Sequence, residues 1–584
     1  MLSEFINFFS MRALATRGTL ALGRFKGIRC ALSMCLSVGF VSCSEIATAA
    51  TINVSTFGAT PNDGVDDTAA IQAALTYAAQ RPGTLVQFSP GIYDISATAN
   101  SHQALGIYNA SNVIIDGGTA TLRVHTPQTA LLIQACTNVE LRNIAFDWSP
   151  LPFAQVTVQS FDGNGGATVS VVGGAAPSTT GTYVAGVYEY DIVNGRPAPG
   201  NNDFYPSSSS ITALTGGLAH LSNVAGNFSR IGVGAALVVR YQLYGAEALL
   251  SISSTGVILS QVTIYSSPGM GATFIGCQNV TVAESVIDIP TSSGRWISTN
   301  ADGLHFTLCR GFISVTDGIF EMMGDDGINV GGLMMKSTEG TSANQVVLSF
   351  GGSSSQGLPP MNVGDILQFS SPTDSLVPIF SATVLSCSQS GLRSSLTLEL
   401  NQSVPAILLS GAVVYDATAK PVVRVARCNI ENNRARGLWI QDSSGVVEDS
   451  TVEGSSGPAA ELRCDTSSWW EGPAPSNYEF YNCSFSNCNY GPGQGMATIN
   501  TYAMGSGNII SALPIIDQLT FDYCHFLGGG TGISLLSANS VQVDECSFDT
   551  AIGSPVLLSP SVVLTQYSNT WTNGAQLTTL LFDP

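Results

Sequence analysis

The chain has 584 residues, with 21 Lys and Arg set against 41 Asp and Glu, for a formal net charge of −20 at pH 7. That balance leaves no basic stripe to displace counterions, which excludes nucleic acid as a partner, and it disfavours strongly acidic polymers over neutral glycans. Hydrophobic residues at 44%, charged residues at 11% and 61 glycines exclude a disordered chain and point to a β-rich, turn-rich extracellular protein.

Residues 1–49 read as an export signal. Arg12, Arg17, Arg24, Lys26 and Arg29 form a basic region, and an apolar stretch from Cys30 to Val41 follows. Ala47-Thr48-Ala49 offers small residues for cleavage, so the mature chain is expected to begin near Ala50 and to be secreted or periplasmic. Cys43 follows Phe40-Val41-Ser42, a poor lipobox, so no lipid anchor is expected. No later stretch is long and apolar enough to predict a membrane span. Ten cysteines follow the signal region without the paired spacing of a zinc site. They read mostly as small buried hydrophobes, a few of which could pair in an oxidising compartment.

Residues 50–149 open with a short strand, Thr51-Ile52-Asn53-Val54. A helix then starts near Asp66-Asp67-Thr68, with apolar residues at helical spacing through Ile71, Ala74 and Leu75. Such a helix suits the open end of a coil of strands, which must be covered. Short alternating strands then recur after Asn or Gly: Asn112-Val113-Ile114-Ile115, Asn138-Val139-Glu140-Leu141, Gly256-Val257-Ile258-Leu259, Asn279-Val280-Thr281-Val282 and Gly311-Phe312-Ile313-Ser314. The pattern resumes from Val422 to Asp544. Spacings of roughly 22 to 32 residues fit one turn of a parallel β-solenoid and not a propeller blade of roughly 40. Two stretches break the rhythm, residues 150–250 and 334–419, and both read as inserted small β-domains. The coils carrying the acidic motif occupy 251–333, and 420–584 continues the coil.

The chemistry concentrates between the insertions. Asp302 lies in Asn300-Ala301-Asp302-Gly303-Leu304-His305, and Asp325 and Asp326 follow 23 and 24 positions later in Gly324-Asp325-Asp326-Gly327. One solenoid turn would stack them on adjacent rungs about 4.8 Å apart. Crowded carboxylates repel, so at least one holds a proton near neutral pH. A protonated acid beside an ionised one is what glycosidic cleavage requires. Asp-Gly turns and calcium binding are the competing readings of the same residues. The candidate substrate-binding residues, most of them marked by the family resemblance set out below, are His305, Arg295, Arg434, Arg436, Asp465, Trp470 and Glu471: hydroxyl or carboxylate partners and, for Trp470 or equally its neighbour Trp469, a stacking platform.

The opening resembles the entry cap of the pectate-lyase-like, right-handed parallel β-helix superfamily. Asn-x-Asp-Gly followed by Gly-Asp-Asp shares the outline of polygalacturonase-like hydrolases, without their Gly-His-Gly or Arg-Ile-Lys. The chain resembles glycoside hydrolase family 110, the α-1,3-galactosidases, more closely. The resemblance rests on Gly294-Arg295, Ala301 to Phe306, Cys309-Arg310-Gly311, Phe320 to Val330, Asn433 to Leu438, Asp465 with Trp470-Glu471-Gly472, and Asp147 to Phe153. It implies an all-β solenoid with two barrel-like insertions and an inverting exo-acting hydrolase of terminal α-1,3-linked galactose that needs neither metal nor nucleotide. Asp325 would be the general acid, and Asp302 and Asp326 would position and deprotonate water.

Overall fold

The computed structural model describes residues 50–584 apart from 201–202, 207, 223–230, 352–358, 372–373, 392–393, 468, 492–496, 506–508, 512, 529–530, 550–553, 572–578 and 582–584. The expected signal segment and Cys43 lie outside the described residues. Within them, no helix is long and apolar enough to cross a membrane.

Parallel pairing organises the chain. The strand Ala272–Ile275 pairs with Leu304–Thr307, which pairs with Ile328–Gly331, then Leu438–Ile440, Ala460–Asp465, Ile499–Gly505 and Thr531–Leu535. Each strand is followed by two more that pair in the same way with the next turn, as Gln278–Ala283 does with Arg310–Thr316, and Val286–Ile287 with Ile319–Glu321. The product is a parallel β-helix with one continuous core. Inward side chains stack along it, for example Phe274 on Phe306 at 4.9 Å and Phe526 on Phe548 at 4.7 Å.

The Asn and Gly residues before the strands have a physical reason to be there. Asn112, Asn138 and Asn279 adopt φ of 53°, 54° and 58°, and Gly256 and Gly311 adopt 69° and 65°. Each corner between sheets needs the left-handed conformation, which Gly and Asn tolerate best. The Asn138 amide also donates to Asn112 Oδ1 at 3.0 Å, so the corners form a short ladder.

The helix forms over Thr68–Ala79 and buries Ile71, Ala74, Leu75 and Ala78 at the start of the core. At its start the Asp66 carboxylate accepts the Thr68 N–H, at 2.8 Å. Asp67 instead turns its carboxylate to the Thr60 N–H at 2.8 Å.

The two rhythm breaks are antiparallel. Strands from Phe153–Phe161 to Ala236–Arg240 make a nine-stranded sheet with an apolar cluster of its own. Strands from Met335–Glu339 to Ser410–Asp416 close into a six-stranded barrel. The expectation of two barrel-like insertions therefore needs one adjustment: the second closes, whereas the strand order of the first runs open from Thr182–Val184 to Arg196–Pro197.

The ten described cysteines are free thiols, nine buried and Cys387 half-buried. Eight of them, Cys488 with its thiol to Val452 O included, occupy one architectural role, which fits the reading of small buried residues. The Cys277 thiol donates to Ser251 O, Cys309 to Phe274 O, Cys428 to Val315 O, Cys483 to Val447 O, Cys524 to Phe480 O and Cys546 to Phe521 O, each reaching the turn before it. Cys136 does the same with Ile107 O.

Candidate active site

The register decides which residues meet. Leu304 pairs with Ile328 and Ile328 with Leu438, so Asp302, Asp326 and Arg436 occupy equivalent places on three successive turns. Gly303, Gly327 and Gly437 follow them. A Cβ on Gly303 would sit 2.7 Å from Gly327 O, and one on Gly327 would sit 2.6 Å from Gly437 O, so the turns approach too closely for a side chain. Two carboxylates stacked on each other repel, and Arg436 on the third turn answers that repulsion.

Asp326 is held twice by Arg436: the backbone N–H donates to Oδ1 at 3.0 Å and the side-chain Nη2 donates to Oδ2 at 2.8 Å. Asp302 Oδ2 lies 2.6 Å from His305 Nδ1 and accepts from Asn329 Nδ2 at 3.3 Å. Burial lowers the His305 pKa, so the ring is neutral and meets Asp302 as a donor only in its Nδ1–H tautomer. Asp325 pairs with Arg434 Nη1 at 3.0 Å and accepts from the Tyr244 hydroxyl at 3.2 Å. One oxygen from each of the three carboxyls lies within 4.8 Å of the others. A divalent cation would also accept that spacing, but guanidinium groups already neutralise Asp325 and Asp326.

Burial, and then the charge of Asp325, pushes the Asp302 carboxyl up to about 8. Burial also raises Asp326 well above the usual carboxylate range; Arg436 opposes that rise, while Asp302 and Asp325 reinforce it. Asp302 and Asp326 therefore hold on to protons more strongly than free carboxyls do.

Four further sequence candidates fall around this cluster. Arg434 and Arg436 are its two cations. Glu471 is half-buried, within the electrostatic reach of His305, Arg436 and Asp302. Asp465 lies further out, accepting from Arg463 at 2.9 Å. The other two are committed elsewhere. Arg295 sends Nη1 and Nη2 to Asp147 at 2.7 and 2.8 Å, which ties it to the start of the first insertion. Trp470 packs with Met334, Val413 and Cys464 in a seam beside the barrel, with Lys336 Nζ 4.4 Å from its ring. Neither contact supports the sugar-holding role expected of these two residues.

The first insertion supplies residues the sequence reading missed. Arg240 is fully buried, and its Nη1 donates to Asn300 O at 3.0 Å and Gly324 O at 2.8 Å, clamping the loop before each acidic motif. Asp203 pairs with Arg434 at 2.6 Å and lies 3.6 Å from Arg240. The available signal for Arg240 was a charge ending the apolar run Ala236-Leu237-Val238-Val239. Asp203 offered no comparable signal.

Together, fold and site define a parallel β-helix with a buried, cation-braced trio of carboxyls on its outer face. Comparison with known proteins agrees. Residues 410–576 match the right handed beta helix region model, and residues 51–113 match the rhamnogalacturonase A/epimerase, pectate lyase-like model. The chain is 23% identical over 501 residues to alpha-1,3-galactosidase A of Shewanella woodyi, covering 80% of each. It is 23% identical over 491 residues to alpha-1,3-galactosidase B of Bacteroides thetaiotaomicron, covering 78% of each. It is 23% identical over 558 residues to alpha-1,3-galactosidase A of Bacteroides fragilis, covering 86% of this chain and 89% of that one. Among solved structures, the Agl-KA catalytic domain matches with a TM-score of 0.40 and 13% identity, over 91% of this chain and 68% of that chain. The resemblance seen in the motifs is thus borne out: this is a right-handed β-helix homologous to glycoside hydrolases named alpha-1,3-galactosidase.

Proposed function

We propose that the chain is a secreted exo-glycosidase that hydrolyses terminal α-1,3-linked galactose from glycans with inversion, using Asp302, Asp325 and Asp326. The observation carrying this reading is the trio itself: three carboxyls within 4.8 Å, two braced by arginines and one by histidine, in a homologue of enzymes with that name. Asp325 is the general acid. Its side chain is 13% exposed against 5% for Asp302 and 2% for Asp326, so it is the one best placed to meet a leaving oxygen. For this the trio's proton must stand on Asp325 as the leaving oxygen departs, and one of Asp302 and Asp326 must be ionised to take the proton of the attacking water; the trio then ends with the number of protons it began with.

The carboxyl oxygens stand closer than the roughly 6.5–9.5 Å usual between acid and base in inverting enzymes, which makes the product anomer the decisive measurement. Mature protein is incubated with α-1,3-galactobiose and with a panel of plant and algal polysaccharides. Release of galactose, first seen by NMR as the β-anomer, supports the reading; α-galactose as first product overturns inversion. Asp302→Asn, Asp325→Asn and Asp326→Asn are each expected to lower kcat on the order of 10²- to 10⁴-fold. Variants that match the wild type would overturn the catalytic assignment.

A further inference from the structure

Beyond Arg436 the site does not end. Arg436 Nε lies 4.0 Å from Glu461 Oε2, Arg463 Nη1 lies 3.7 Å from Glu461 Oε1, and Arg463 Nη2 lies 2.9 Å from Asp465 Oδ2. Charge therefore alternates along a buried row: Asp326, Arg436, Glu461, Arg463, Asp465. The carboxylate side chains of Asp326, Glu461 and Asp465 are 2%, 5% and 0% exposed, so solvent screens this row little. Trp439 stands between the cations, its ring 3.8 Å from the Arg436 guanidinium and 5.3 Å from that of Arg463. The Tyr502 ring lies 4.8 Å from Arg463, and its hydroxyl also engages Glu461.

The backbone fixes this row. His305, Asn329, Trp439, Glu461 and Asn500 pair in succession across five turns, so Glu461 is carried on the same column as the histidine that holds Asp302. Arg436 Nε makes no hydrogen bond of its own, which leaves the direction of its charge to the competition between Asp326 and Glu461.

We propose that Glu461 is a positioning residue for the reaction: it competes with Asp326 for Arg436 and so sets how much of that positive charge Asp326 feels, while Arg463 and Asp465 fix Glu461 in turn. The inference rests on the reading of Asp326 as part of the reacting trio. The other groups facing Arg436 are Asp325, Asp302 and, through its field, Glu471; His305 and Arg434 face the carboxyls.

The sign follows from the charges. Glu461→Gln removes a competitor for Arg436, so Asp326 is ionised more easily and the acidic limb of the kcat–pH profile moves to lower pH. Arg463→Gln removes a cation that occupies Glu461, so the limb moves to higher pH. Each shift is expected to be about half a unit to one unit. Glu461→Asp, which keeps the charge, restores most of the wild-type position. KM is expected to change less than kcat, because Glu461 and Arg463 act on Asp326 through Arg436.

The experiment measures kcat and KM for α-1,3-galactobiose from pH 4 to 9 in the wild type and the three variants. Thermal unfolding confirms that each is folded. A second measurement does not depend on the sugar: an infrared difference titration of the protonated-carboxyl band, assigned through its loss in Asp326→Asn. Opposite displacements of that band in Glu461→Gln and Arg463→Gln support the proposal. Folded variants whose band and limb both stay at the wild-type pH overturn it. If Asp326→Asn is fully active while the band still moves, the catalytic reading fails and the electrostatic coupling stands, so the two failures are told apart.

Discussion

Asp302, proposed above as part of the reacting trio, carries a cost in stability. Its carboxyl is raised to about 8 by burial first and by Asp325 next, against roughly 3.9 in an unfolded chain. Between those values the folded state binds a proton that the unfolded state releases, so this contribution to stability is full at low pH and lost as pH rises toward 8. Asp302→Asn is therefore expected to unfold at a higher temperature than the wild type at pH 8 to 9, while kcat falls. A variant less stable than the wild type in that window would refute the burial argument. At this scale the sequence was informative for Asp302, Asp325, Asp326 and His305, because they sit in or near Asp-Gly motifs one coil apart, whereas Arg434, Arg436 and Glu471 were reached only through the family resemblance. It left the contacts of Arg295 and Trp470 open. Residue type alone cannot say that Asp147 claims the arginine or that Met334 and Cys464 surround the indole.

Elements explain what motifs could not. The first insertion reaches back to the trio through Asp203 and Arg240, one bound to Arg434 and the other to the loops of Asn300 and Gly324. Asp203→Asn weakens the grip on Arg434 and so loosens Asp325; kcat is expected to drop about tenfold or more, at the cost of a buried charged hydrogen bond. Unchanged kinetics would mean that Arg434 is held well enough without the insertion. Insertions were readable as breaks in periodicity, but contact between Asp203 and Arg434, 231 residues apart, leaves no local trace. On the opposite sheet, Glu321 pairs with Glu431 and Glu431 with Glu453 on successive turns. Burial, then Asp288 and Glu431, raises half-buried Glu321 to about 7. Because that value lies above the unfolded one, stability falls as pH rises from about 4.5 to 7. Glu321→Gln is expected to flatten this slope and to gain about 1 kcal/mol at pH 8, a figure reduced for solvent screening. Melting temperatures of both proteins across pH 5 to 8 test it.

As a whole, the molecule is a one-dimensional stack in which each turn touches chiefly its neighbours. That is why the solenoid was legible: its period and its Asn and Gly corners are local signals repeated many times, and its capping helix is a local signal too. The inserted sheet and barrel are single events, and a closed barrel cannot be told from an open sheet by alternation alone. The same stack gives the buried thiols a use that has nothing to do with holding it together. They are tally marks along the coil, spaced from Cys136 to Cys546 and sealed from solvent by the turns on either side. A thiol reagent added to the folded protein is expected to label no more than the half-buried Cys387. Under rising urea, labelling read by peptide mass should mark Cys524 and Cys546 before Cys277 and Cys309, recording the order in which the coil comes apart from its far end. Simultaneous labelling of all four would mean that the stack opens in one step.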